Sequence, residues 1–269
     1  LGLIAFQTKN YLKSVEIINK AIQIKPDYAE IYDFRAIVLI HLKKFEEAVE
    51  SWNRAIKIKP DYAEAHYNRG NALRELNKIE AAIASYDKAI KIKHNFAEAH
   101  YNRGNALREL KKIEPAIASY DKAIQIKPDY AEAYNNRGSV FFDLNEMESA
   151  IASFDRAIKI KHNFAEAHYN RGNALRELKK IEPAIASYDK AIQIKPDYAE
   201  AYNNRGSVFF DSNKMESAIA SYDKAIQIKP DYAEAYKNRG YALLDLNKID
   251  ASLESFDKAI KIKPDSDYL

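Results

Sequence analysis

The chain has 269 residues, no cysteine, and 42 basic against 39 acidic side chains, for a formal net charge of +3. That near balance excludes the electrostatic footprint of a nucleic-acid or membrane-surface binder, and the missing cysteine excludes disulfides and thiolate metal sites while suiting a reducing, cytoplasmic compartment. No apolar run approaches the roughly 20 residues of a membrane span, and no signal peptide leads the chain.

In chain order, the dominant feature is self-similarity with a period of 34 residues, which must be read before any single element. Residues 1–28 supply the last 28 positions of a partial copy, and Leu1 falls mid-repeat, so the chain reads as a piece of a longer protein. Seven complete copies follow, at 29–62, 63–96, 97–130, 131–164, 165–198, 199–232 and 233–266, with a tail at 267–269. The copy at 29–62 is the divergent one. Residues Ala89 to Asp143 recur letter for letter as Ala157 to Asp211, the mark of a duplicated two-repeat unit.

Each copy predicts two helices. In the second half Ala82, Ile83, Tyr86, Ala89 and Ile90 form an apolar stripe of helical period, and in the first half Gly70, Leu73 and Leu76 do the same. Asp61, three residues before Glu64, has the spacing of a capping box. Asn77 between the halves tolerates the left-handed conformation that ends a helix. Pro115 and Pro183 suit the first turn of a second helix, and Pro60, Pro128, Pro196 and Pro230 break the chain between copies.

Counting from Ala63 as position one, the eighth position is Gly70, Gly104, Gly138, Gly172, Gly206 and Gly240, with Gly2 equivalent in the partial copy. Gly inside a helix costs about 1 kcal/mol against Ala, so close approach of the two helices is the expected reason. Small residues such as Ala89 and bulky ones such as Trp52, Tyr86 and Phe154 recur on the second helix to meet it. Position seven is Arg35, Arg69, Arg103, Arg137, Arg171, Arg205 and Arg239. Asp87, Asp121, Asp155, Asp189, Asp223 and Asp257 stand eighteen residues later in the six copies from 63 onward, whereas Arg35 faces Asn53. A charge near a core position needs a partner. Two readings stand: an ion pair within each repeat, such as Arg69 with Asp87, or an anion-binding row of arginines.

Gly at position eight, Leu or Phe at eleven, Ala at twenty, an aromatic at twenty-four, Ala at twenty-seven and Pro at thirty-two resemble the tetratricopeptide repeat along the whole chain. The resemblance implies an all-α, right-handed superhelical solenoid of antiparallel helix pairs, whose first helices line a concave face and bind peptide or protein segments. Large apolar residues are usual at position seven in that family, so the arginines are a departure. The resemblance places Asn68, Asn102, Asn136, Asn170, Asn204 and Asn238, at position six, on the concave face. An Asn side chain offers one acceptor and two donor hydrogens, so a row of them can pair with a peptide backbone of any sequence. The row resembles the asparagine ladder of O-linked N-acetylglucosamine transferases, and the chain ends resemble the borders of the repeat region in bacterial proteins of that type. A catalytic domain would then follow Leu269.

Tyr67, Tyr101 and Tyr169 at position five and Arg74, Arg108 and Arg176 at position twelve flank the row, alternating with Asn135, Asn203, Phe142 and Phe210. Glu75, Glu109, Asp143, Glu177, Asp211 and Asp245 follow at position thirteen. This mixed groove suits extended polypeptides, while its acidic row argues against single-stranded RNA. Glu64, Glu98 and Glu132 at position two exclude the carboxylate clamp of chaperone-binding repeats. His41, His66, His94, His100, His162 and His168 form no ligand spacing, and no GxxxxGK, GxGxxG or Ser–His–acid set occurs. No catalytic residue, metal or cofactor is therefore expected. The expected function is polypeptide binding, as the recruiting region of a transferase-like protein or as a free-standing scaffold. The edge near Ala259, Ile260 and Ile262 suggests end-to-end association of copies, or docking on a region that follows Leu269.

Overall fold

The computed structural model describes residues 2–264. It is all-α, with no strand among the described residues. The expectations for Leu1 and for the 267–269 tail fall outside this range. The chain forms two compact units, Leu1–Ala133 and Tyr134–Leu269.

The first unit opens with α1 (Gly2–Gln7) and α2 (Tyr11–Ile24). Three helix pairs follow: α3 (Ala29–His41) with α4 (Phe45–Ile58), α5 (Ala63–Glu75) with α6 (Ile79–Ile92), and α7 (Ala97–Glu109) with α8 (Ile113–Ile126). The helix α9 (Ala131–Asp143) begins there. The second unit continues with α10 (Met147–Ile160), α11 (Ala165–Glu177), α12 (Ile181–Ile194), α13 (Ala199–Asp211), α14 (Met215–Ile228), α15 (Ala233–Asp245) and α16 (Ile249–Ile262).

The turn inside each pair explains why the first helix stops. Asn77 takes φ 57°, its N–H bonds to the Arg74 carbonyl at 2.8 Å, and the Lys78 N–H reaches back to Leu73 at 2.8 Å. Those two bonds satisfy carbonyls that the helix end would otherwise leave open. Asn145, Asn213 and Asn247 do the same, yet Lys9, Lys43, Lys111 and Lys179 adopt the same left-handed geometry. Tolerance by Asn is therefore sufficient but not required. The expected capping box does not form. The N-cap of α5 is Tyr62, without a side-chain bond, and Glu64 instead meets Lys93 Nζ at 3.1 Å. The helix starts one residue too late for Asp61 to act as its cap.

The core of each pair is built at the close approach that Gly permits. A β-carbon added at Gly70 would lie 2.6 Å from Cε1 of Tyr86, and one at Gly138 would lie 2.6 Å from Cε1 of Phe154. The helix thus presses on the aromatic ring itself rather than on the neighbouring small residues. Those rings are fully enclosed, as are Ala82, Ala89, Ala150 and Ala157.

The position-seven arginines correct the expected pairing. Arg69 bonds Asn53 Oδ1 at 2.9 Å and Ser85 Oγ at 3.2 Å, not Asp87. Asp87 is taken by Arg103 of the next repeat, at 2.6 Å, while Arg103 also donates to its own Ser119 at 2.7 Å. The second unit repeats this with Arg171–Asp155, Arg205–Asp189 and Arg239–Asp223, at 2.6–2.7 Å. The reason is geometric: position seven faces the second helix of the preceding repeat, and its own second helix offers Ser at the contact. Arg35, Arg69, Arg103, Arg171, Arg205 and Arg239 each therefore join three helices. Half-exposed pairs of this kind contribute about 0.2–1 kcal/mol.

His66, His100 and His168 share position four, where Tyr32, Tyr134, Tyr202 and Tyr236 stand in the other complete repeats. His66 is buried, and its Nδ1 has no partner among the described residues. Burial pushes all three below the ordinary value of 6.5, since desolvation disfavours the cation. The unfolded chain therefore takes up protons first as pH falls through 6.5, and stability present above that value is lost as pH drops toward the folded values. The triple change of these histidines to Tyr should flatten that loss. Thermal melts at about pH 7.5 and about pH 5.5 check it, the wild type showing the larger drop in Tm.

At the end of the second unit, Ala259 is fully buried, contrary to its expected place on an open edge, whereas Ile260 and Ile262 are exposed. The open apolar residues there are Leu253, 57% exposed, and Ile249, 45%, with Leu244 and Ile260 beside them. Among the equivalents of Ile249 in other repeats, Ile79, Met147 and Met215 are 6–8% exposed, packed against Ala106, Ala174 and Ala242 of the following helix, and Phe45, Ile113 and Ile181 are half-buried.

Candidate functional site

The position-six asparagines project from one face of the first helices, and the structure shows what holds them. In the first unit Asn102 Nδ2 donates to Tyr67 Oη at 3.1 Å and to Asn71 Oδ1 at 2.8 Å, both in the preceding repeat. In the second unit Asn204 Nδ2 donates likewise to Tyr169 Oη at 3.0 Å and Asn173 Oδ1 at 2.9 Å. Asn170 and Asn238 donate to Asn135 Oδ1 and Asn203 Oδ1, each at 3.1 Å. The acceptors are themselves anchored: Asn71 and Asn173 receive the hydroxyls of Tyr86 and Tyr188 at 2.9 and 2.8 Å. A hydrogen-bond chain thus runs from the core ring to the position-nine amide to the position-six amide.

The consequence is chemical polarity. The donor end of these asparagines is turned into the scaffold. In Asn102, Asn170 and Asn238 the carbonyl Oδ1 takes no bond from the described residues and is not buried. Asn204 and Asn136 each accept one contact from the neighbouring Asn203 or Asn135, at 3.3 and 3.4 Å. A carbonyl oxygen accepts two bonds, so Asn204 keeps one acceptor site. Asn68 has no side-chain partner among the described residues, because Asp33 and Ile37 stand where Tyr67 and Asn71 stand one repeat later.

Tyr67, Tyr101 and Tyr169 pack on Phe96, Tyr130 and Tyr198, with ring centroids 4.8–4.9 Å apart. Burial raises the Tyr169 hydroxyl above its usual range. These rings support the row. Arg74 pairs with Glu109 at 3.1 Å and Arg176 with Glu177 at 3.5 Å, and Arg108 occupies the same position on its helix. Asn135 and Asn203, expected to flank the row, are 1% exposed and anchor it as acceptors for Asn170 and Asn238. Sequence reasoning missed the position-nine residues Asn71 and Asn173. Their signal was present, since Asn at nine occurs in the repeats that carry Tyr at five.

Among the described residues no group of His and carboxylate side chains has the makings of a metal site, and no helix is long and apolar enough to cross a membrane. Stacked helix pairs of one length, with a polar amide row along one face, define a helical-repeat protein. TPR repeat models match 38–74, 70–110, 104–144, 138–178, 172–211 and 206–247, and tetratricopeptide repeat models match 1–28 and 233–266. The chain belongs to the tetratricopeptide repeat family. No curated protein sequence matches it significantly. Among solved structures it is similar to MamA, with 28% identity over 60% of this chain and 94% of that one, at a TM-score of 0.57. It is similar also to YrrB, described as a TPR protein with an unusual peptide-binding site, with 27% identity over 70% of this chain and 96% of that one, at a TM-score of 0.59. A tetratricopeptide repeat protein from Parabacteroides merdae shares the fold, at 20% identity and a TM-score of 0.67 over 87% of this chain and 93% of that one.

Proposed function

We propose that this chain is a non-catalytic array that binds extended polypeptide along its position-six asparagines. The observation that carries the reading is the row of side-chain carbonyls held open while their amide hydrogens are tied into the preceding repeat. Fixed acceptors suit the backbone N–H groups of an extended strand, and side chains held in place beforehand lose little entropy on binding. An extended strand advances about 6.6–7 Å per two residues and packed helices lie about 8–10 Å apart. Successive rungs therefore meet every second or third residue. The family and the peptide-binding site in YrrB's description favour the same reading.

Peptides of alternating Thr and Ser, with single backbone amides replaced by esters, test it. Each ester at a contacted position removes one N–H and should weaken binding about two- to tenfold, with the loss recurring every two or three residues. Uniform affinity across the series would sink the reading.

The finer assignment, recruitment for an O-linked N-acetylglucosamine transferase-like protein of bacterial type, rests on the sequence resemblance of the row and of the chain ends. A gene that encodes a glycosyltransferase domain beyond Leu269 supports it, and a stop codon there favours the free-standing scaffold. The cysteine-free composition suits the cytoplasm for either. The exposed Ile249 and Leu253 favour end-to-end association with a second copy. Sedimentation should show a concentration-dependent mass that Leu253→Glu abolishes, and a constant monomer mass in the wild type would contradict it.

A further inference from the structure

The divergent repeat opens a cleft of about 440 Å³ in the first unit, between α3 and α5. Its lining includes Ile37, Ile40, Phe45, Trp52, Asn68 and Glu75. The volume lies within the roughly 300–1,000 Å³ of ligand pockets. Its origin is visible in the sequence. Where the next repeat carries Asn71 and Arg74, this one carries Ile37 and Ile40. The Trp52 indole, unlike the Tyr86 hydroxyl, donates to Asp33 at 2.7 Å and leaves position nine apolar.

The same substitution changes the charge at the rim. Glu109 is neutralised by Arg74 of the preceding repeat. Glu75, one repeat earlier, would need a cation at position twelve of α3 and finds Ile40. It is exposed and has no ion-pair partner among the described residues. Asn68, also on the wall, is the position-six residue whose amide is untied.

We infer that this cleft seats one bulky apolar side chain of the bound polypeptide, with a Lys or Arg beside it in sequence meeting Glu75. The inference rests on the proposed reading of the row, since Asn68 belongs to that row and brings the bound backbone past the mouth of the cleft. The apolar walls exclude a charged side chain from the interior, and the unneutralised Glu75 at the rim selects the sign of its neighbour. The row would then bind without regard to sequence, and the cleft would fix the register.

The experiment compares two peptides by fluorescence anisotropy on the full chain: the alternating Thr–Ser peptide, and the same peptide with one central Leu–Arg pair. The readout is the ratio of their affinities. The wild type should favour the Leu–Arg peptide about tenfold, as burial of one Leu side chain implies. Ile40→Arg places in the cleft the residue that Arg74, Arg108 and Arg176 carry at the same helical position, so the helix tolerates it. That variant should reduce the ratio to about one, and Glu75→Gln should reduce it only for a peptide with Arg beside Leu. A ratio of one in the wild type, or a ratio retained in Ile40→Arg, overturns the inference. Loss of the row lowers both affinities together and leaves the ratio, so a failure of the row and a failure of the cleft read differently. Binding of neither peptide contradicts both.

Discussion

Gly172→Val is expected to lower the chain's stability by about 3 kcal/mol, at the upper end of the cost of overpacking a core. A β-carbon at Gly172 would sit 2.7 Å from Cε1, 2.9 Å from Cδ1 and 3.0 Å from Cζ of Tyr188. That ring is fully buried and its hydroxyl is held by Asn173 at 2.8 Å, so it has no free direction in which to yield. The helix propensity of Val over Gly returns only a few tenths of a kcal/mol, far less than the clash. Position eight of the divergent repeat is the internal comparison. Ala36 is accommodated there, but its partner ring is Trp52, whose indole is held by Asp33 instead. Chemical denaturation checks the value. An unchanged midpoint in Gly172→Val would mean that the close approach is not what requires Gly.

Much of this fold was legible in the sequence because a period of 34 residues exposes every repeated constraint several times. Gly at eight, Ala at twenty and twenty-seven and the aromatic at twenty-four are each explained by packing that the structure displays. Periodicity says which residues recur, but not which of two neighbours each one faces. Arg69 was therefore assigned to Asp87 of its own repeat, when a helix lying between two others meets Asp or Asn of the preceding one. The capping box failed for a related reason, since a spacing of three has meaning only relative to the helix start, and α5 starts at Ala63. The position-six row was visible as a row. Its hydrogen-bond direction was not, because that depends on Asn71, Asn135, Asn173 and Asn203 one repeat earlier. The cleft lies in the one divergent copy, where Ile37 and Ile40 have no repeated counterpart to mark them.

The other large effect concerns binding. Asn136, Asn170, Asn204 and Asn238 all lie in the second unit, and Ala substitution at all four together removes its whole position-six row. Each amide contact contributes about 0.5–1.5 kcal/mol net, so even the low end of the sum predicts at least about a 30-fold loss of affinity. Single changes should cost only a few-fold. Ala is a better helix former than Asn, so circular dichroism should show helicity at or above that of the wild type, separating lost contacts from lost fold. Lys122, Lys190 and Lys224 on the second helices, whose side chains reach only the Gln three residues on, serve as the control set. The decisive measurement is the affinity of the alternating Thr–Ser peptide for the wild type, the quadruple Asn variant and the triple Lys→Ala variant. The account predicts a loss of about 30-fold or more in the Asn variant and none in the Lys variant. Undiminished binding by a fully helical quadruple Asn variant would contradict it.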